Sequence, residues 1–166
     1  GDMAAFVRDF YAQLDREGLI VDVRRNRGGN IDSWVIDRLM RRAWAYWHPP
    51  GTVPQWNQQQ SYRGHLAVLA DEFTYSDGET FAAGIKALGL GPVIGKRTSG
   101  AGIWLSDRNV LSDGGIARVA EFGQFDAQGR WLIEVQGVAP DIEVDNPPYA
   151  TANGEAVTFF IATTQT

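Results

Sequence analysis

His65-Leu66-Ala67-Val68-Leu69-Ala70-Asp71-Glu72-Phe73-Thr74-Tyr75-Ser76-Asp77-Gly78-Glu79 contains the change of pattern that decides the fold. The near-continuous apolar run ending at Ala70 reads as a strand buried on both faces, as in parallel sheets. A short polar turn follows. From Asp77 to Leu88 apolar residues then recur at helical spacing, and Gly89 and Gly91 close the helix. Strand, turn and helix in that order make half of an α/β unit.

The same alternation extends upstream. Phe6, Val7, Phe10, Tyr11 and Leu14 predict an amphipathic helix from about Ala4 to Glu17, stopped by Gly18. Leu19 to Val23 reads as a second short buried strand, the run from Arg25 to Asn30 as a turn, and Ile31 to Trp44 as a helix with Asn30 placed to cap it. His48 to Tyr62, with Pro49, Pro50, Pro54 and three consecutive glutamines, reads as a long surface loop. Downstream, Pro92 to Gly95 is a third strand. Gly114-Gly115, Gly123, Gly129 and Gly137 then separate short runs such as Ile116 to Ala120 and Trp131 to Gln136, which read as strands and hairpins. Ala156 to Thr166 has no clear helical period. The pattern predicts an α/β layer on a parallel sheet with a β-rich C-terminal part.

Composition narrows the function. A chain of 166 residues, 44% hydrophobic and 21% charged, can bury roughly 70% of its unfolded surface without staples. With no cysteine, disulfide frameworks, thiolate zinc sites and cysteine nucleophiles are excluded. Twenty acidic against fifteen basic residues leave a net charge of −5, which argues against nucleic acid despite the Arg24, Arg25, Arg27 and Arg38, Arg41, Arg42 clusters. No stretch approaches the roughly 18 to 20 apolar residues of a membrane span, and Gly1 to Phe6 is no signal peptide. A helix that opens almost at the first residue raises the expectation of a piece excised from a longer chain. Two isolated histidines, no phosphate loop and no dinucleotide fingerprint predict neither metal nor cofactor.

In open α/β sheets ligands collect where strands run into helix N-termini. Two junctions qualify. In the first, Gly28-Gly29 lets the backbone turn tightly and expose amides to an oxyanion; a bland glycine turn is the structural alternative. In the second, Ser76 stands at the head of a helix, where free amides and the dipole stabilise an acyl-transfer nucleophile and its tetrahedral intermediate. Ser76 and Glu79 equally make a Ser-x-x-Glu capping box. Gly78 weighs toward function, because glycine in a first helical turn implies a close approach. A base is missing. His65 lies at the far end of the preceding strand, on the order of 20 Å from Ser76 at about 3.3 Å per residue; His48 sits in the proline-rich loop. Glu134, in an otherwise apolar strand, is placed either to orient a base or simply to face water.

Taken in order, these segments resemble the tail-specific, or C-terminal processing, serine protease family, and within it the tricorn protease core branch. Gly18 to Arg24 with Asn26 and Gly28-Gly29 resembles the first strand and glycine turn. Asp71-Glu72 through Ser76-Asp77-Gly78 resembles the nucleophile segment, and Gly89 to Gly95 with Arg97-Thr98 the next strand. Glu134 with Gly137 to Val144 resembles the tricorn segment that carries a catalytic glutamate. The resemblance implies a Clp protease/crotonase-like spiral of strand-helix units. It implies Ser76 as nucleophile, Glu134 as orienting carboxylate, and an oxyanion hole from the amides of Gly28 or Gly29 and of Asp77. The Asp77 side chain would shape the pocket for the residue before the scissile bond and favour a basic one. The lysine base of tail-specific proteases is replaced, because Thr98-Ser99-Gly100-Ala101-Gly102 has Ala101 at its place and Lys96 out of register. The tricorn branch uses a histidine from a segment before a PDZ-like domain. Residues 1–145 are thus expected to be a catalytic subdomain lacking its histidine-bearing part, nearly inert alone, with 146–166 a tail. Implied substrates are peptides or unfolded protein tails, with no cofactor, a homo-oligomer as the assembly, and the periplasm or cell envelope ahead of the cytoplasm. A peptide- or hydrophobic-ligand-binding module on the same fold, without catalysis, is the alternative.

Overall fold

A computed structural model describes residues 2–57, 60–145 and 148–154. Helix α1 (Asp2–Tyr11) leads into β1 (Gly18–Asp22), α2 (Asp32–Met40), the small strands β2 (Tyr46–Trp47) and β3 (Gln55–Trp56), and β4 (His65–Ala70). Then come α3 (Asp77–Ala87), β5 (Val93–Gly95), β6 (Trp104–Leu105), β7 (Ala120–Phe122), β8 (Ile142–Glu143) and α4 (Pro148–Ala152). The apolar run from Ala156 onward lies outside the described residues.

The central sheet has the order β1-β4-β5-β8, with every neighbouring pair parallel. Strands therefore enter in chain order, each crossover advancing one place, which is the spiral of strand-helix units expected of the fold. Burial explains the strand patterns. The central β4 is buried on both faces at Ala67 and Val68, whereas β1, on the edge, leaves Ile20 exposed. Phe10, Ile36, Leu39, Phe81, Ile85 and Val93 belong to one core that joins α1, α2 and α3 to the sheet.

Several boundaries differ from the sequence reading. The first helix ends at Tyr11 instead of Glu17, and two four-residue turns, closed by Gln13 N–H to Phe10 carbonyl and Arg16 N–H to Gln13 carbonyl, carry the chain on to β1. The second begins at Asp32, capped by Ile31 without a side-chain bond, so Asn30 is not its cap. It stops at Met40 because Val35, Ile36 and Leu39 exhaust its buried stripe, and Trp44 is 79% exposed. The proline-rich loop contains a small antiparallel pair, β2 with β3. Glu134 lies in no strand. It sits in a tight turn whose neighbours Ile133 and Val135 have φ of 65° and 67°, which interrupts the extended backbone its apolar surroundings suggested.

Candidate active site

The two junctions are sewn together at the carboxyl ends of β1 and β4. Asp71 Oδ1 accepts the Arg25 N–H at 2.9 Å, the Thr74 hydroxyl donates to the Val23 carbonyl at 3.0 Å, and the Tyr75 N–H donates to the Asn26 carbonyl at 2.9 Å. Glycine at position 78 is explained by this seam. A Cβ there would come within 3.1 Å of the Asn26 side chain, so the close approach inferred from sequence is made by a neighbouring loop.

Ser76 stands before α3 with φ 54° and ψ −114°, a conformation that costs a non-glycine residue of order 1–3 kcal/mol. The sharp strand-to-helix turn lifts its side chain out of the sheet, as at a nucleophile elbow. Of the Ser-x-x-Glu capping box, the glutamate half forms as a hydrogen bond, Glu79 accepting the Ser76 N–H, while the Glu79 N–H donates to the Ser76 carbonyl at 2.9 Å. This glutamate does more than cap, however. Glu79 is fully buried, and its Oε2 accepts the Ser76 N–H at 3.0 Å and the Ala101 N–H at 2.9 Å. Its Oε1 accepts the Thr98 hydroxyl and the Gly100 N–H, both at 2.6 Å, while Ser99 Oγ donates to Oε2 at 3.2 Å. One buried anion thus binds the elbow to the turn 98–101, and these charge-assisted donors offset the cost of its desolvation. Sequence spacing gave Glu79 only a local role, because its partners lie about twenty residues away.

The glycine turn packs directly on the elbow. A Cβ on Gly28 (φ +97°) would lie 2.9 Å from Ser76 Cβ and 3.3 Å from Oγ, so only glycine fits there. The Gly28 N–H itself donates to Asn26 Oδ1 at 2.8 Å. Gly29, Ser76 and Asp77 line one pocket of about 90 Å³, closed on its other side by Gly102, Trp104 and Phe122. The Asp77 carboxylate accepts the Ile31 N–H at 3.0 Å and holds the glycine loop. Burial, together with a hydrogen bond to Asp77, raises the Asp32 carboxyl above its ordinary value. Glu134 braces the opposite wall, its Oε2 accepting the N–H groups of Gly102 at 2.8 Å and Ile103 at 3.0 Å.

Among the described residues, no histidine or lysine lines this pocket. His48 Nε2 bonds the Thr52 carbonyl at 3.1 Å, and His65 opens β4 at the end opposite the elbow. Lys96 pairs with Glu72 at 2.9 Å and Asp145 at 3.3 Å in a separate, larger cleft of about 530 Å³. No group of metal-binding side chains occurs among the described residues, and no helix among them is long and apolar enough to cross a membrane.

The family model of peptidase family S41 matches residues 1–144. Tricorn protease homolog 1 of Streptomyces coelicolor is 40% identical over 147 residues, 89% of this chain and 14% of that protein. The tricorn protease of Thermoplasma acidophilum is 34% identical over 151 residues, 90% of this chain and again 14% of its relative. The chain therefore spans about one seventh of the length of these relatives. A crystal structure of the tricorn protease superposes with a TM-score of 0.83 at 32% identity, over 93% of this chain and 15% of that one. The photosystem II D1 C-terminal processing protease gives 0.63 at 25% identity, over 87% of this chain and 40% of that one.

Proposed function

We propose, from the membership of this chain in peptidase family S41, that it supplies the nucleophile, oxyanion donors and substrate pocket of a larger serine peptidase. Residues 1–145 would be the catalytic subdomain and 146–166 a tail, with the general base, a histidine, on another part of the protein. The observation that carries this reading is the strained elbow at Ser76, packed against a glycine turn at the N-terminus of α3. Strain at that position is unexplained by capping alone, because an ordinary N-cap residue adopts extended backbone.

In the proposed reaction Ser76 Oγ attacks the carbonyl carbon of the scissile peptide and its proton passes to the histidine. The oxyanion that forms is held by the amides of Asp77 and Gly29; Gly28, whose N–H is spent on Asn26, supplies the space for the approach. The C–N bond then breaks, the proton moves from the histidine to the leaving amine, and water hydrolyses the Ser76 ester by the same route. Glu134, anchored through Oε2, would orient the base from the far wall. Asp77 shapes the pocket through the loop it holds. Peptides or unfolded protein tails are the substrates this reading implies, association of copies its assembly, and the periplasm or cell envelope its compartment.

The test is peptide hydrolysis by the intact protein beside its Ser76→Ala variant and the isolated chain. Activity confined to the native intact protein supports the reading. Equal activity with and without the serine hydroxyl would return Ser76 to a capping role and favour a peptide-binding module.

A further inference from the structure

Trp104 and Phe122 face each other across the short β6–β7 pair, with ring centroids 5.8 Å apart and planes within 10° of parallel. Both remain partly open to water, 43% and 58% exposed, and each also lines the pocket that holds Ser76. A stacked aromatic surface left open beside a candidate nucleophile is apolar area whose burial a substrate could complete. The wall is also in register with the elbow. The Thr80 hydroxyl donates to Gln124 Oε1 at 3.2 Å, and the Thr80 N–H donates to the Ser76 carbonyl at 3.0 Å, so one residue of α3 touches both the arm and the nucleophile.

The acidic side of the pocket offers less to a ligand. The Asp77 carboxylate is engaged by the Ile31 N–H at 3.0 Å. We propose that Trp104, stacked on Phe122 and latched to α3 through Gln124 and Thr80, is a specificity-determining wall that selects a large apolar side chain on the substrate residue next to the scissile bond. This inference rests on the serine peptidase reading and names its substrate class.

The test uses the intact protein, a small fluorophosphonate that phosphonylates an activated serine with loss of fluoride and without filling the pocket, and a peptide series differing only at that residue: Phe, Leu, Ala, Arg and Asp. The native protein should favour Phe and Leu over Ala on the order of 10-fold or more in kcat/KM. Trp104→Ala should erase that ratio, lowering kcat/KM for the Phe and Leu peptides to about that of the Ala peptide while Ser76 is still labelled by the fluorophosphonate. Trp104→Phe should restore most of the ratio, and Phe122→Ala should weaken it. Labelling of Ser76 with an unchanged ratio in Trp104→Ala, an equal loss on every peptide, or a native preference for Arg would overturn the wall while leaving the peptidase intact. No labelling of the native protein would overturn the peptidase reading and this inference with it.

Discussion

The Ser76 amide nitrogen lies 3.0 Å from Oε2 of Glu79, the same oxygen that accepts the Ala101 N–H, so elbow and turn share one acceptor buried out of water. Glu79→Ala should therefore cost about 3–5 kcal/mol of stability, because several buried donors lose their partner together. Glu79→Gln should lose much of the same stability, since its amide NH2 presents a donor to donors. Urea denaturation of the chain checks both, and a loss under about 1 kcal/mol in Glu79→Ala would show that the turn is held by other means.

Backbone strain at Ser76 predicts an inverse relation between stability and activity. Ser76→Gly should abolish hydrolysis while gaining up to about 1 kcal/mol, the relief of a positive φ less the entropy of glycine. A residue that only capped the helix would instead lose a few tenths of a kcal/mol on the same change. Thermal unfolding of the two proteins decides the sign.

Gly28 and Ser76 should be energetically coupled. Gly28→Ala puts a methyl 2.9 Å from Ser76 Cβ at a φ of +97°, for a loss of about 1–3 kcal/mol. In the Ser76→Gly background the clash disappears and only the backbone cost remains, so the loss should shrink by about 1 kcal/mol. Additive losses in the double-mutant cycle would mean that the turn and the elbow do not touch.

Two carboxyls predict opposite pH dependences. Burial pushes Asp141 up, but the Val93 N–H at 2.8 Å and Lys86 at 2.9 Å outweigh it and hold its carboxyl below the usual range. Its contribution is therefore present above the unfolded value of about 3.9 and lost as pH falls through the lower folded value. Asp141→Asn should cost about 1 kcal/mol at neutral pH, the low end for a part-exposed charged pair, and nothing in strong acid. Asp32 has the reverse sign. Its raised folded value stabilises below the unfolded one and is lost as pH rises through the folded one, so Asp32→Asn should be more stable than native at neutral pH, by a margin that narrows on acidification. Urea midpoints over a pH series measure both; parallel curves for native and variant would contradict the assigned partners.

Much of the architecture was legible in the order of residues. The apolar run at Leu66 to Ala70 and the helical spacing after Asp77 depend on near neighbours, and their periods marked strand, helix and parallel sheet correctly. The segments around Gly28-Gly29 and Ser76 were recognisable for the same reason, since each is a continuous motif. Helix ends were less legible, because α2 stops where its buried stripe stops, and burial is a property of the folded core.

Only the tertiary structure decided what those motifs touch. Glu79 read as a cap from its spacing, yet its charge is satisfied by the turn 98–101. Glu134 read as a strand residue, yet it braces Gly102 and Ile103 from a turn with positive φ on either side. Trp104 and Phe122 carried no signal at all, because the stack joins residues eighteen positions apart that meet only when β6 and β7 pair. Local periodicity is written along the chain, whereas the neutralisation of a buried charge and the closing of a pocket wall require segments distant in sequence to meet, and that meeting exists only in the folded protein.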